Sequence, residues 1–103
     1  MAGDIVVCGG LAWASNYSGY HRAMDFLIAN VATDGLRDKL DELHENNIGI
    51  LDLDRYPDAE RIEILRLLRD ELVPSLGPNL HSADMTHFRE LADKAAVALA
   101  NEP

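Results

Sequence analysis

The chain has 103 residues, the length of one compact domain, and its 48% apolar and 26% charged content is typical of a folded protein rather than a disordered one. Eighteen acidic side chains against nine lysines and arginines give a net charge of -9, which disfavours nucleic acids and anionic membranes and favours a basic protein as partner. The single Cys8 excludes an internal disulfide, and without a signal-like opening or a membrane-length apolar run the expected location is the cytoplasm.

The N-terminal third predicts an extended segment followed by a helix. Residues 5–8 are a β-branched run that ends at a glycine pair, which is typical of a short strand or an extended arm. Residues 11–20 are rich in aromatic and small polar residues and predict a loop, with Ser18 as the N-cap of the next helix. Apolar residues then recur at helical spacing over residues 20–32, which predicts the first helix, with Phe26 on its opposite side.

The second helix is predicted from residue 34 to about residue 45, where leucines repeat at i, i+4 and i+7. Residues 48–53 then form a connector or a short strand, and they are the best pairing partner for residues 5–8 if both are extended. A third helix begins at Pro57 and ends at Pro74, because proline suits a helix start and interrupts a helix interior.

A fourth helix is predicted from Ser82 nearly to the C-terminus, since its apolar residues share one face and its small alanines allow close helix approach. The short connections between these segments favour antiparallel neighbours. The sequence therefore predicts a single domain over residues 1–103, mainly α, as a compact bundle of about four helices, and it leaves open a short two-stranded β element.

The acidic residues are concentrated in one stretch. Between Asp34 and Glu60, nine acids and three bases give a net charge of -6. Within the second helix, one narrow sector opposite the leucine seam carries four carboxylates with Glu42 at its border, and we call this set the acidic stripe: Asp34, Asp38, Asp41 and Glu45. Two interpretations stay open, a solvated face that keeps the protein in solution and a docking surface for a basic partner.

Carboxylates steer a partner, but anchoring it requires apolar or aromatic side chains nearby. The candidates are four aromatic residues: Trp13, Tyr17, Phe26 and Tyr56. The connector adds Asp52 and Asp54, which resemble the entry to a helix more than a calcium loop, since a calcium loop needs more oxygen ligands at regular spacing. The predicted partner-binding residues are therefore the following: Asp34, Asp38, Asp41, Glu42, Glu45, Asp52, Asp54 and Tyr56.

No catalytic, metal or cofactor site is predicted. His81 and His87 are six residues apart, whereas two ligating histidines on one helix prefer a spacing of four, and Glu90 lies one turn from His87. His21 and His44 gain no ligand partner from spacing. Cys8 is expected to be a structural thiol, because no nucleotide-binding glycine motif and no nucleophile with a base accompany it. The chain is not expected to be an enzyme.

Residues 48–57, IGILDLDRYP, continue as DAERIEILRLL. This stretch, about a fifth of the chain, resembles a pattern found in small bacterial proteins that include toxin-immunity proteins. The resemblance implies a cytoplasmic inhibitor that binds and masks a toxin, often a basic nuclease, with an acidic surface. It carries no site residue over to this chain.

Two functions follow as hypotheses. The first is a protein-binding inhibitor of immunity or antitoxin type that uses the acidic stripe and the connector against a basic partner. The alternative is a helical structural or regulatory subunit that assembles through Trp13, Phe26 and residues 92–100. The sequence does not determine the oligomeric state.

Overall fold

A three-stranded sheet forms one layer of the computed structural model, which describes residues 2–77 and 80–102. The strands are β1 (Ala2–Cys8), β2 (Leu11–Asn16) and β3 (Ile50–Asp52), in the order β2-β1-β3. β1 pairs with β2 as an antiparallel hairpin and with β3 in parallel. The prediction of a mainly α domain with a short sheet is confirmed, but the sheet has three strands rather than two.

The additional strand is β2, where the sequence predicted a loop. Gly10 has a φ of 78°, which lets the chain reverse within two residues and bring β2 back along β1. In β2, Trp13 and Ser15 are buried while Ala12 and Ala14 are exposed, so the strand has the alternation of a sheet with one covered face. The loop prediction is wrong because small alanines on the open face hide this alternation.

Five helices follow the hairpin or surround β3: α1 (Tyr17–Asn30), α2 (Asp34–Glu45), α3 (Asp58–Asp70), α4 (Leu72–Ser75) and α5 (Ser82–Ala100). α1 begins three residues earlier than predicted, because Asn16 rather than Ser18 is its N-cap and accepts a hydrogen bond from the Gly19 amide at 2.8 Å. The predicted third helix is divided, with α3 ending at Asp70 and the short α4 following it. The bounds of α2 are as predicted.

The core lies between the helices and one face of the sheet. Ile5, Val7 and Leu51 point from the strands into this layer and are fully buried. Trp13 joins β2 to α5, because its Nε1 donates to the His87 carbonyl at 2.9 Å and its ring stacks on the His87 ring. Ile50 lies on the opposite face of the sheet, where its side chain is exposed.

Candidate partner-binding groove

A groove runs between α2 and the connector that follows it. It has a volume of about 730 Å³ and begins at the C-terminal half of α2. The connector, residues 48–56, supplies its other wall through β3 and one turn of 3-10 helix at Leu53–Arg55. The groove is lined by side chains from both walls: Lys39, Glu42, Leu43, Asn46, Ile48, Ile50, Asp52, Arg55 and Tyr56.

The connector wall presents apolar side chains to solvent. Ile48 is 47% exposed and Ile50 is 52% exposed, and both line the groove. Within β3, Leu51 points into the core, so the strand places Ile50 and Asp52 on its outward face, and Ile48 lies just before the strand. Two large aliphatic residues exposed side by side are a common feature of protein-binding surfaces.

Hydrogen bonds fix the first half of the connector. Tyr20 on α1 is almost fully buried, and its hydroxyl donates to the Ile48 carbonyl at 3.0 Å. Burial, with a smaller contribution from Tyr56 and Asp4, raises the pKa of Tyr20 to about 12, so the hydroxyl keeps its proton at neutral pH. The Gly49 carbonyl also accepts from the Asp4 amide at 2.8 Å. Hydrogen bonds therefore fix the backbone that carries the exposed isoleucines.

Arg61 on α3 fixes the other end of the connector. Its guanidinium donates to the Tyr56 carbonyl at 3.0 Å, to Asp58 at 2.7 Å, and to both carboxylate oxygens of Glu102 at 2.6 and 2.9 Å. The hydrogen bonds to Glu102 and Asp58 raise the pKa of Arg61, and the same contact lowers the pKa of Glu102. The C-terminal residues are thereby tied to the groove.

Tyr56 lies at the corner between the connector and α2. It is half-buried, and the Lys39 ammonium lies 5.9 Å from the centre of its ring, within the range of a cation–π contact. Burial, and after it the charge of Glu60, raises the pKa of Tyr56. Of the four aromatic anchors proposed from sequence, Tyr56 is the one that lines the groove.

The other three aromatic candidates lie elsewhere. Trp13 and Phe26 are buried in the core, so neither can anchor a partner. Tyr17 is half-buried at the start of α1, where its hydroxyl donates to the Asn47 side chain at 3.4 Å. Ile48 and Ile50 take the place of these aromatics as apolar groove residues, and the sequence, which predicted residues 48–53 as a connector or a short strand, did not indicate that these two side chains are exposed.

Within the described residues, one carboxylate of the acidic stripe, Asp34, has a cationic partner, whereas the other three have none. Arg37 turns back to the C-terminus of α1, where it donates to the carbonyls of Ile28 and Val31 as well as to Asp34. Lys39 bonds Glu60 of α3 at 2.7 Å. Across residues 2–77 and 80–102, no cationic side chain lies within 4.0 Å of four α2 carboxylates: Asp38, Asp41, Glu42 and Glu45.

The structure divides the predicted binding residues between two neighbouring surfaces. Glu42, Asp52 and Tyr56 line the groove, whereas the acidic stripe runs along the outer side of α2, with Glu42 between the two. Asp52 also has a structural role, since its side chain accepts from the Asp54 amide at 3.1 Å and begins the 3-10 turn. Asp54 is exposed and is not among the groove residues.

Cys8 is half-buried rather than buried, at the end of β1. Glu90 lies 3.9 Å from Nδ1 of His87, beyond hydrogen-bond distance, and the ring of His87 stacks on Trp13 with ring centres 4.6 Å apart. Among the residues that the structure describes, no helix is both long and apolar enough to cross a lipid bilayer. Family models, curated proteins and solved structures were compared with the chain, and none of them matches it.

Proposed function

We propose that this chain is a protein-binding inhibitor of the immunity or antitoxin type, acting in the cytoplasm, which masks a basic protein partner such as a nuclease toxin. The observation that carries the proposal is the combination of an apolar groove with adjoining α2 carboxylates that have no cationic side chain within 4.0 Å in the described part of the chain. A surface intended only for solubility would not need exposed isoleucines on a fixed backbone.

The two surfaces have separable roles in this proposal. Exposed carboxylates attract a basic partner over a distance of about 10 Å at moderate salt, which raises the association rate. Ile48, Ile50 and Tyr56 then lose water on contact, and burial of such anchors mainly slows dissociation. The stripe is therefore expected to control association, and the groove to control dissociation.

The experiment begins with a partner identified by affinity capture from the native source or from the neighbouring reading frame, and measures both rate constants. Reversal of Asp38, Asp41 and Glu45 to lysine is expected to slow association at least about tenfold at low salt, with the difference shrinking as salt rises. The control reverses three carboxylates of α5, which changes the net charge equally at another place: Asp84, Glu90 and Asp93.

The groove has a matched control of its own. Ile50→Ala is expected to speed dissociation at least about fivefold, because truncation of a central apolar anchor costs at least about 1 kcal/mol. Val97 on α5 is 51% exposed, nearly the same as Ile50, and Val97→Ala is expected to leave dissociation unchanged. Equal effects of the two truncations, or unchanged association after the stripe reversal, would contradict the proposed surface.

The alternative is a helical subunit that acts through self-association, and the exposed Val97 on α5 favours it. Burial of Trp13 and Phe26 removes two of the contacts that the sequence suggested for such an assembly. Sedimentation over a wide concentration range tests it. A monomer at every concentration would count against the alternative, whereas a dimer that Val97→Asp dissociates would support it over the inhibitor.

A further inference from the structure

Three side chains with metal-binding chemistry meet where α1 packs against α2. His21 and Asp25 are four residues apart on one face of α1, and His44 reaches them from the last turn of α2. The Nε2 atoms of His21 and His44 lie 3.3 and 3.5 Å from the two carboxylate oxygens of Asp25. One candidate ligand atom from each side chain lies within 4.8 Å of the others.

These distances fit ligands of a shared ion better than they fit hydrogen bonds. An N–H···O bond normally measures 2.7–3.2 Å between heavy atoms, and both contacts are longer. Ligands at about 2.0–2.1 Å from a tetrahedral zinc ion are about 3.3 Å from one another. The two observed contacts run to different oxygens of Asp25, and the three ligand atoms lie within 4.8 Å of one another, so side-chain rotations must bring them to this spacing around one ion.

The two imidazoles are held in place. The side chain of His44 is only 17% exposed, and its ring centre lies 4.3 Å from that of His21. The Nδ1 atom of His21 is buried and has no hydrogen-bond partner within residues 2–77 and 80–102, so Nε2 is the ring nitrogen that faces the other two side chains.

The surrounding charge favours a cation. His44 stands at the C-terminal end of α2, where the helix dipole is negative, and Asp41 lies one turn before it. From this geometry we propose that His21, Asp25 and His44 bind a divalent transition ion of the zinc class, with a fourth position open to water. Two nitrogen ligands and one oxygen ligand select such an ion over magnesium or calcium, which prefer all-oxygen sites. The site is independent of the groove and of the proposed inhibitor function.

Zinc titration of tag-free, chelator-treated protein tests the site by calorimetry and by thermal unfolding. We expect one Zn²⁺ per chain, and a Tm rise of about 10 °C at a free Zn²⁺ concentration a hundredfold above Kd. Asp25→Asn keeps the shape of an exposed side chain and is expected to raise Kd at least about tenfold, as is His44→Ala. Circular dichroism verifies that both variants fold.

The controls are His81→Ala, which removes an exposed histidine outside the cluster, and Cys8→Ala, which removes the one thiol. Both are expected to bind Zn²⁺ as the unmodified chain does. The proposal is overturned if the unmodified chain binds no zinc at 1:1 stoichiometry, if folded Asp25→Asn and His44→Ala bind it unchanged, or if Mg²⁺ binds as tightly as Zn²⁺.

Discussion

Helices α2 and α3 are both rich in carboxylates, but the two helices use them differently. On α3, Asp58 bonds Arg61, Glu60 bonds Lys39, and Glu63 accepts hydrogen bonds from the turn between α1 and α2. On α2, as far as the structure describes the chain, four carboxylates have no cationic neighbour: Asp38, Asp41, Glu42 and Glu45. Charge on α3 holds the fold together, whereas charge on α2 faces outward.

The two helices also differ in how many buried side chains attach them to the core. α3 contributes four buried side chains to the core, whereas α2 contributes Leu36 and Leu40. A helix with a narrow buried seam and crowded like charges stays folded only because a few contacts hold it. The net charge of a segment therefore does not indicate how its acids are used, since hydrogen-bonded and free carboxylates count equally in it.

The largest expected effect comes from truncating the seam. Leu40→Ala is expected to lower the free energy of unfolding by about 3 kcal/mol, because Leu40 is fully buried and leaves a cavity. Leu65→Ala on α3 should cost a similar amount in urea denaturation. Hydrogen exchange distinguishes the two variants. In Leu40→Ala the amides of α2 should lose protection before those of α3. In Leu65→Ala the amides of α3 should not be the first to lose protection, because three other buried side chains still hold that helix. Equal protection of the α2 and α3 amides in both variants would contradict the inference that α2 is held to the core more weakly than α3.

A smaller effect is expected from one bonded carboxylate of α3. Glu63 accepts from the Ala32 amide at 2.6 Å and from the Thr33 hydroxyl at 3.0 Å. Glu63→Gln is expected to lower the free energy of unfolding by about 1 kcal/mol, since a charge-assisted acceptor is lost at the turn that positions α2. Glu42→Gln is the control, and urea denaturation should place it within about 0.5 kcal/mol of the unmodified chain. Similar losses in both variants would show that α2 carboxylates are also structural.

The acid limb of the stability curve reports the paired carboxylates. The hydrogen bond from Arg61 lowers the pKa of Glu102, and that from Arg69 lowers the pKa of Asp70. A lowered folded pKa gives stability that is present above the unfolded pKa and is lost as pH falls, here below about pH 4. Glu102→Gln should make the decrease in Tm between roughly pH 5 and roughly pH 2 less steep. An unchanged slope would contradict the assignment of this pair.

The sequence predicts those parts of the fold that depend on the residues of a single segment. The span of α2 and its acidic stripe follow from helical periodicity within twelve residues. β2 was missed because only Trp13 and Ser15 mark its buried side, and its position depends on pairing with β1. Strand pairing is a contact between segments, which a local pattern does not contain.

The same reason explains which residues of the candidate surfaces could be predicted from the sequence. Glu42, Asp52 and Tyr56 were selected for charge and aromaticity, and they line one groove. The exposure of Ile48 and Ile50 depends on which segments cover the sheet, so the sequence of the connector alone does not determine it. The spacing of His21 and Asp25 could have been read as two ligands on one helix face. Their third partner comes from α2, which only the tertiary structure brings to them.

The smallest expected effect is an increase in the free energy of unfolding, on substitution of Asp38 in α2. Asp38 has like charges at i−4, i+3 and i+4, namely Asp34, Asp41 and Glu42, and each such pair costs about 0.2 to 0.5 kcal/mol. Asp38→Asn is therefore expected to raise the free energy of unfolding by about 0.5 kcal/mol at low salt and by less at high salt. Asp58→Asn on α3 is the matched change, and it should destabilise because it removes an ion pair with Arg61 and a negative charge at a helix N-terminus. If urea denaturation shows that both substitutions change the free energy of unfolding in the same direction, the carboxylates of α2 and α3 do not differ in their effect on stability. If the changes have opposite signs, the carboxylates of α2 lower the stability of the fold while they keep negative charge at the surface, which is the arrangement expected of a surface that binds a basic partner.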